Sequence, residues 1–432
     1  MNRNSQIQFS DSESIRRFQQ ERLIEQVHYM WQHSPFYRRM FEENRLDPQT
    51  IRTLEDLHRL PVTTKSDLQL YNRDFIATPI AEIIDYVTTS GTLGDPVTFA
   101  LSDSDLSRLA YNEALSFATA GCSSDDILQL MTTIDKRFMA GLAYFLGARE
   151  LKCGVVRVGN GIPELQWDTI SRIHPTGCIV VPSFLIKLIQ FAKNNNIDFR
   201  NSSLKRAICI GESLRTQQGE LNQLGRRIAT EWPELELFST YASTEMQSSF
   251  TECSHHCGGH TPVDLIIVEL LDDNNNPVAD GELGEVTITT LGVRGMPLLR
   301  FKTGDICIGN RSACSCGRNT LRLSSVLGRK GQMIKYKGTT LYPSALYEIL
   351  DNVSDIKNYI IEVYTGELGT DQIVIRVGSV RCDESFEKEI KDLFRSKVRV
   401  APEICFESID LISKKQMPAI SRKQIKFVDL RN

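Results

Sequence analysis

The residues Thr88-Thr89-Ser90-Gly91-Thr92-Leu93-Gly94-Asp95-Pro96 could hold a chain of phosphates. Hydroxyls at Thr89, Ser90 and Thr92 supply donors, while Gly91 and Gly94 permit the positive φ and close backbone approach of an anion-binding nest. The Gly-Lys-Ser/Thr ending and following helix of a Walker A loop are missing. A Ser/Thr-rich hairpin turn would read the same way, and these residues alone leave both readings open. A second group could hold a metal. Zinc favours thiolate and imidazole in a tetrahedral set, and four protein ligands mark a structural rather than a catalytic site. Cys253 and His260, joined by a polar loop, together with the Cys314-Ser-Cys316 turn, provide such a set. His255, His256 and Cys257 are further candidates, Cys257 first among them. A Cys/His-rich loop without metal is the alternative. No basic, aromatic-interleaved surface accompanies these cysteines, which argues against a nucleic-acid module.

These groups need a frame. At 432 residues, 41% hydrophobic and 24% charged, the chain is an ordinary globular sequence long enough for two domains. Its formal charge is −4, with Lys and Arg spread along the length, so a nucleic-acid partner is not expected. The polar start MNRNSQIQFSDSES and the lack of a long apolar run predict a protein that neither carries a signal peptide nor spans a membrane, hence a cytoplasmic one. Most of the eleven cysteines, Cys153, Cys178 and Cys209 among them, sit singly among apolar residues and read as small buried side chains.

Apolar spacing predicts a helix over residues 15–33, broken at Ser34-Pro35. Tyr86-Val87 reads as a strand end running into the Ser/Thr/Gly loop, and Pro96–Ala100 as a second strand. Ser102-Asp-Ser-Asp105 reads as the cap of the next helix. From there to about residue 240, short apolar strands alternate with helices: Cys178–Val181 before a helix at 184–194, and Ala207–Ile210 before a segment starting near Thr216. Such alternation predicts an α/β fold, parallel or mixed sheets covered by helices. After 262 the pattern turns β-rich, with strands Leu265–Leu271 and Gly284–Thr290 around an Asp/Asn turn. A restart near 328, with a helix at Pro343–Leu350 and a strand at 358–363, predicts a large domain over 1–327 and a small mobile α+β domain over 328–432.

The loop Ser90-Gly-Thr-x-Gly-x-Pro96 is followed in order by Gly211-Glu212-Ser213, Tyr241-Ala242-Ser243-Thr244-Glu245, Thr303-Gly304-Asp305, Gly328-Arg329 and a lysine near the end. This order resembles the acyl-adenylate-forming superfamily. Ser34-Pro-Phe-Tyr-Arg38, Leu60-Pro-Val-Thr-Thr-Lys-Ser-Asp-Leu68, Glu252-Cys253 and Tyr342-Pro343-Ser344 are similar to phrases of its phenylacetate–CoA ligase family. Some members of that family carry the same Cys…His and Cys-x-Cys spacing.

The resemblance implies that Thr89, Ser90, Gly91, Thr92 and Gly94 cradle the phosphates of ATP. Gly211, Glu212 and Ser213 would edge the adenine and Tyr241 would stack on it. Thr244 would reach the α-phosphate, Glu245 would hold Mg²⁺, and Ala242 and Ser243 complete that segment at the nucleotide. Asp305 would bond the ribose hydroxyls, with Arg329 reaching the same nucleotide. Lys423 falls at the family's adenylation lysine, and Lys335 and Gly338 on the face used for coenzyme A. Two departures stand out. Asp95 replaces the usual lysine of the phosphate loop, which is unfavourable beside a triphosphate, and Gly331 replaces the usual hinge aspartate.

The function implied is an ATP-dependent CoA ligase for a small, aromatic carboxylic acid, working through an acyl-adenylate, as a homodimer. Phe138, Met139, Gly141, Ala143, Tyr144, Phe145 and Pro182 are candidates for the acyl pocket, with Ala242 at its floor. Two other functions fit the same residues. One is an adenylating enzyme that passes the acyl group to a carrier protein or amine, and the other is a non-catalytic nucleotide-binding protein.

Overall fold

The computed structural model describes residues 4–89, 96–336, 339–366, 371–418 and 424–431. Capping chemistry sets the helix starts. The Asp11 carboxylate accepts the Ser14 N–H and opens α1 (Ser12–His33). Ser34 is extended and ends α1, as its position before proline requires, but its hydroxyl also caps α2 (Pro35–Glu43). The expected break is therefore a joint between two helices, because a proline in the first turn has no N–H to waste. Thr64 and Asp67 form a capping box for α3 (Lys65–Leu70), and Ser102 and Asp105 form another for α4 (Asp103–Thr119).

The chain clusters into two compact units: residues 1–303 with 307–326, and residues 304–306 with 327–432. In the first, β1 (Ile83–Thr88) and β2 (Thr98–Ser102) form an antiparallel hairpin around the phosphate-loop segment. Then come β3 (Ile127–Leu130), α5 (Met139–Leu151), β4 (Gly154–Arg157), α6 (Pro163–Ile173), β5 (Gly177–Val180), α7 (Pro182–Asn194), β6 (Arg206–Ile210), α8 (Gln223–Glu231) and β7 (Glu236–Ser243). These strands are parallel, in spatial order β4-β3-β5-β6-β7. The helix expected from Thr216 begins at Gln223 instead. Arg215 and Leu221 form a β-bridge across that segment, and the Asn222 side chain caps the helix by accepting the Gly225 N–H.

The β-rich stretch extends the same sheet rather than building a second one. Antiparallel strands β8 (Ser248–Thr251), β9 (Gly259–His260), β10 (Ile266–Leu271), β11 (Leu283–Thr290), β12 (Phe301–Asn310) and β13 (Arg322–Leu323) continue it in the order β7-β8-β9-β13-β12-β11-β10. Parallel strands buried on both faces explain the unbroken apolar runs Cys178–Val180 and Ala207–Ile210, all nine-tenths or more buried. One core holds β5, β6 and α7 around Trp167 and Trp232, and a larger one joins α1, α2, the β1–β2 hairpin and the antiparallel half.

In the second unit β14 (Gly328–Arg329) pairs with Asp305 and Ile306 of β12, which is why residues 304–306 cluster with it. β15 (Ile334–Tyr336) and β16 (Thr339–Leu341) form a hairpin. α9 (Pro343–Asp351), β17 (Ile356–Thr365), β18 (Asp371–Ser379), α10 (Glu384–Val398), β19 (Glu403–Glu407), α11 (Ile409–Gln416) and β20 (Phe427–Asp429) follow, the strands ordered β19-β18-β17-β20. Phe386, Ile390 and Phe394 of α10 are fully buried against Ile361, Ile375 and their neighbours on that sheet. Among the described residues, no helix is long and apolar enough to cross a membrane.

Candidate active site

In an open parallel sheet, ligands bind outside the carboxyl ends of the strands, where loops can present polar groups without disturbing the core. At that edge β5 runs into Pro182-Ser183, β6 into Gly211-Glu212-Ser213, and β7 ends in Tyr241–Ser243. Gly211 has φ +77°, a turn that a side chain would strain. It sends Glu212 back to the start of α7, where the carboxylate accepts the Ser183 N–H at 2.8 Å and its hydroxyl at 2.9 Å. A carboxylate at a helix N-terminus is favourable. The Glu212 side chain is therefore committed, and the turn offers its backbone to whatever binds there.

Tyr241 is half-buried, and Phe250, its partner across the β7–β8 ladder, stacks on it at 5.6 Å with the rings 27° apart. Thr244 and Glu245 lie in the turn between β7 and β8, both half-buried. Among the described residues Glu245 makes no hydrogen bond or ion pair, so its carboxylate is uncommitted. Ser243 is less free, since its hydroxyl accepts the Met246 N–H and closes the turn.

Thr89 differs from its expected use. Its hydroxyl accepts the Val97 N–H at 3.0 Å while its own N–H donates to the Val97 carbonyl, so this buried side chain clamps the base of the loop. Ser90, Gly91, Thr92, Gly94 and the departing Asp95 lie outside the described residues, as do Gly338 and Lys423. In the second unit the Arg329 guanidinium donates to the buried Asp305 carboxylate at 3.0 Å, so these two predicted nucleotide contacts engage each other. Lys335 is exposed on β15, and its N–H donates to Asp371.

The ligand atoms of Cys253, His260, Cys314 and Cys316 all lie within 4.8 Å of one another. Cys253 Sγ is 3.7 Å from Cys314 Sγ, and Cys316 Sγ is 3.4 Å from His260 Nε2. Around a tetrahedral zinc with bonds of about 2.0–2.3 Å, ligand atoms sit about 3.5–3.8 Å apart. The Cys253–Cys314 and Cys316–His260 pairs are close to that spacing. Thr320 Oγ1 lies 2.9 Å from His260 Nδ1 and orients the ring. Burial pushes the His260 imidazole down to about 3 and the Cys253 thiol up to about 12. Cys257 stays outside the set of four. Its sulfur accepts from the Arg322 guanidinium at 2.6 Å, while lying 3.5 Å from Cys314 Sγ. His255 is exposed, and His256 lies between Glu236 and Glu252.

The cluster connects to the Gly211–Ser213 turn. Glu252, next to Cys253, forms a buried ion pair with Arg215 at 2.6 Å and accepts the Ser239 N–H of β7. Arg215 in turn follows the Gly211–Ser213 turn and accepts the Ser213 hydroxyl on its carbonyl.

Sequence reasoning missed the buried polar stripe of α4. Arg108, fully buried, donates to the carbonyls of Leu291, Gln247 and Leu265 and to the Ser248 hydroxyl. Asn112 and Glu113 meet Ser249, and Ser116 meets Thr251. Burial raises the Glu113 carboxyl to about 7. The signal was the spacing of Arg108, Asn112 and Ser116, four residues apart along α4, which resembles a solvated face.

A sheet with polar loops at the carboxyl ends of its parallel strands, a β7–β8 turn carrying an uncommitted carboxylate, and a small second unit suit an adenylate-forming enzyme. Comparison agrees. A family model described as AMP-binding enzyme matches residues 62–295. The phenylacetate–coenzyme A ligase of Thermus thermophilus is 30% identical over 88% of this chain and 84% of its own, and that of Escherichia coli strain K12 is 25% identical over 99% and 97%. The crystal structure of a 2-hydroxyisobutyryl-CoA ligase in its postadenylation state with R3-HIB-AMP has a TM-score of 0.81 at 24% identity, covering 96% of this chain and 89% of that one. An o-succinylbenzoate–CoA synthetase from Bacillus subtilis, in complex with ATP and magnesium, has a TM-score of 0.58 at 14% identity, covering 74% and 66%. The chain belongs to the phenylacetate–CoA ligase family of AMP-binding enzymes, and so to the AMP-forming acid–CoA ligases.

Proposed function

We propose that this chain activates a small aromatic carboxylic acid with ATP, releasing pyrophosphate, and passes the acyl group from the acyl-adenylate to coenzyme A with release of AMP. The observation that carries this reading is the meeting, on adjacent strands, of the Gly211–Ser213 turn of β6 with the Tyr241–Glu245 segment of β7. The two relatives named above, both called phenylacetate–coenzyme A ligase, support the aromatic acid. Each assigned group has a physical reason. Attack of a carboxylate on the α-phosphorus brings two anions together and builds charge on phosphoryl oxygens. Stabilising that charge calls for cations and donors already in place. Glu245, uncommitted and half-buried, suits Mg²⁺, which takes hard oxygen ligands. Thr244 beside it offers a hydroxyl to the α-phosphate, the backbone of Gly211–Ser213 meets the adenine edge, and Tyr241, backed by Phe250, supplies a flat ring for the base. Lys423 contributes the ammonium for adenylation.

The four-residue thiol and imidazole cluster holds zinc in this reading. A bound cation would offset the burial that keeps Cys253 protonated, because a coordinating thiol loses its proton to the metal. Through Glu252 and Arg215 the ion would hold the Gly211–Ser213 turn, a structural role with no step in the reaction.

The test is ATP–pyrophosphate exchange with phenylacetate, benzoate and short aliphatic acids, each repeated with coenzyme A while thioester and AMP are followed. Acid-dependent exchange followed by a coenzyme A-dependent thioester is expected, strongest with an aromatic acid. Exchange without thioester would move the acceptor to a carrier protein or amine. Absence of exchange with every acid would overturn the reading.

A further inference from the structure

Ala242 is exposed at the carboxyl end of β7, yet Ser249, directly opposite it on β8 and so on the same face of the hairpin, is buried. What covers Ser249 is polar. Its hydroxyl donates to Glu113 Oε1 at 2.8 Å, its N–H donates to Asn112 Oδ1 at 3.0 Å, and the Asn112 amide donates to Glu113 Oε1 at 2.9 Å. Glu113 is 4% exposed, and its second oxygen, Oε2, has no hydrogen-bond partner among the described residues. α5 closes over the same group. A Cβ on Gly147 would stand 2.3 Å from that of Glu113, so only glycine lets the two helices approach this closely. Tyr144, nearly one turn earlier on α5, is buried within reach of the Glu113 charge, which adds to burial in raising its hydroxyl. Ala242 and Tyr144 are both candidate acyl-pocket residues, and Glu113 lies against Ser249, the β8 partner of Ala242, with its charge acting on Tyr144.

Buried polar side-chain atoms in folded proteins nearly all find partners, and one left without costs about 1–3 kcal/mol. A helix that needed only to pack here would carry glutamine or leucine. We propose that Glu113 is a specificity-determining residue that ends the acyl pocket in a hydrogen-bonding carboxyl group, selecting carboxylic acids with a hydroxyl at the end remote from the reacting carboxylate. This rests on the acyl-activating reading above and narrows its substrate class. A pocket with a built-in partner rejects the analogue lacking the hydroxyl, because the buried group is then left unpaired.

The experiment compares kcat/KM for pyrophosphate exchange in two matched pairs, phenylacetate against 4-hydroxyphenylacetate and pentanoate against 5-hydroxypentanoate. It uses the full chain as wild type and as Glu113→Gln. The wild type should favour the hydroxylated member of at least one pair by about tenfold or more. Glu113→Gln should cut that ratio at least fivefold, with the change falling on KM. Its thermal unfolding shows that the variant is folded, and the wild-type ratio stands whether or not it is. Equal kcat/KM within both pairs, or a ratio untouched by Glu113→Gln, overturns the assignment, while continued exchange with the unsubstituted acids leaves the acyl-activating reading in place. No exchange with any acid removes both.

Discussion

Replacing Glu113 by glutamine should change how stability depends on pH, and the structure sets the size of the change. In the fold the carboxyl is buried and raised from 4.5 to about 7, while in the unfolded chain it titrates at its ordinary value. Between those values the folded state holds a proton that the unfolded state has lost. The stabilisation is therefore fully present below pH 4.5 and is lost as pH rises through 7. From pH 5 to pH 8 the wild type should lose about 2.5 kcal/mol relative to Glu113→Gln, which keeps a neutral side chain of the same shape throughout. Groups titrating elsewhere cancel in the comparison. Urea unfolding of both proteins at pH 5, 6, 7 and 8 measures it. Curves that stay parallel across this range would show that Glu113 titrates normally in the fold, through water or motion that its burial does not suggest, and would refute the reasoning.

Further outcomes follow from other sites. The double substitution Cys314→Ser with Cys316→Ser should abolish a stoichiometric zinc content measured by atomic emission. It should also weaken ATP binding by about tenfold, because the Glu252–Arg215 pair next to Cys253 then loses its anchor. Arg108→Lys keeps the charge but cannot serve three carbonyls and a hydroxyl at once, and should cost about 3 kcal/mol or more in the first unit's unfolding free energy. Arg431 donates to the carbonyls of Met333 and Gly331 and pairs with Asp371, which in turn accepts the Lys335 N–H. Arg431→Ala should therefore speed hydrogen exchange at the Lys335 amide at least tenfold while leaving the amides of β5 and β6 unchanged.

The fold was legible where local chemistry decides structure. The Ser102–Asp105 capping box, the apolar parallel strands and the Asp/Asn turn after β10 follow from residues close in sequence. The start of α8 was not, because Gln223 is chosen by the Asn222 cap and a bridge closing behind it, whereas Thr216 looks equally able to begin a helix. The four metal-type ligands were readable from spacing, but the exclusion of Cys257 was not, since it depends on Arg322, 65 residues further along. Glu212 and Thr89 were placed at the site by resemblance, yet their side chains cap α7 and clamp a loop base. The use of Glu212 appears only when β5 and β6 are brought side by side, and that of Thr89 only when the β1–β2 hairpin closes.

The polar stripe of α4 bears on the order in which the chain can fold as it leaves the ribosome. Arg108 finds its acceptors 139 to 183 residues later, at Gln247, Leu265 and Leu291. Strands β3 to β7 and the helices between them can pair as they emerge, since each new parallel strand joins the one before it or its neighbour. α4 cannot settle with them, because a guanidinium with no partner resists burial until the antiparallel strands arrive. A nascent chain or an expressed fragment ending before Leu291 would thus lack acceptors for Arg108, and with α4 unsettled the parallel strands would miss the cover that Phe117 gives them. The shortest autonomous piece of the first unit extends past that residue.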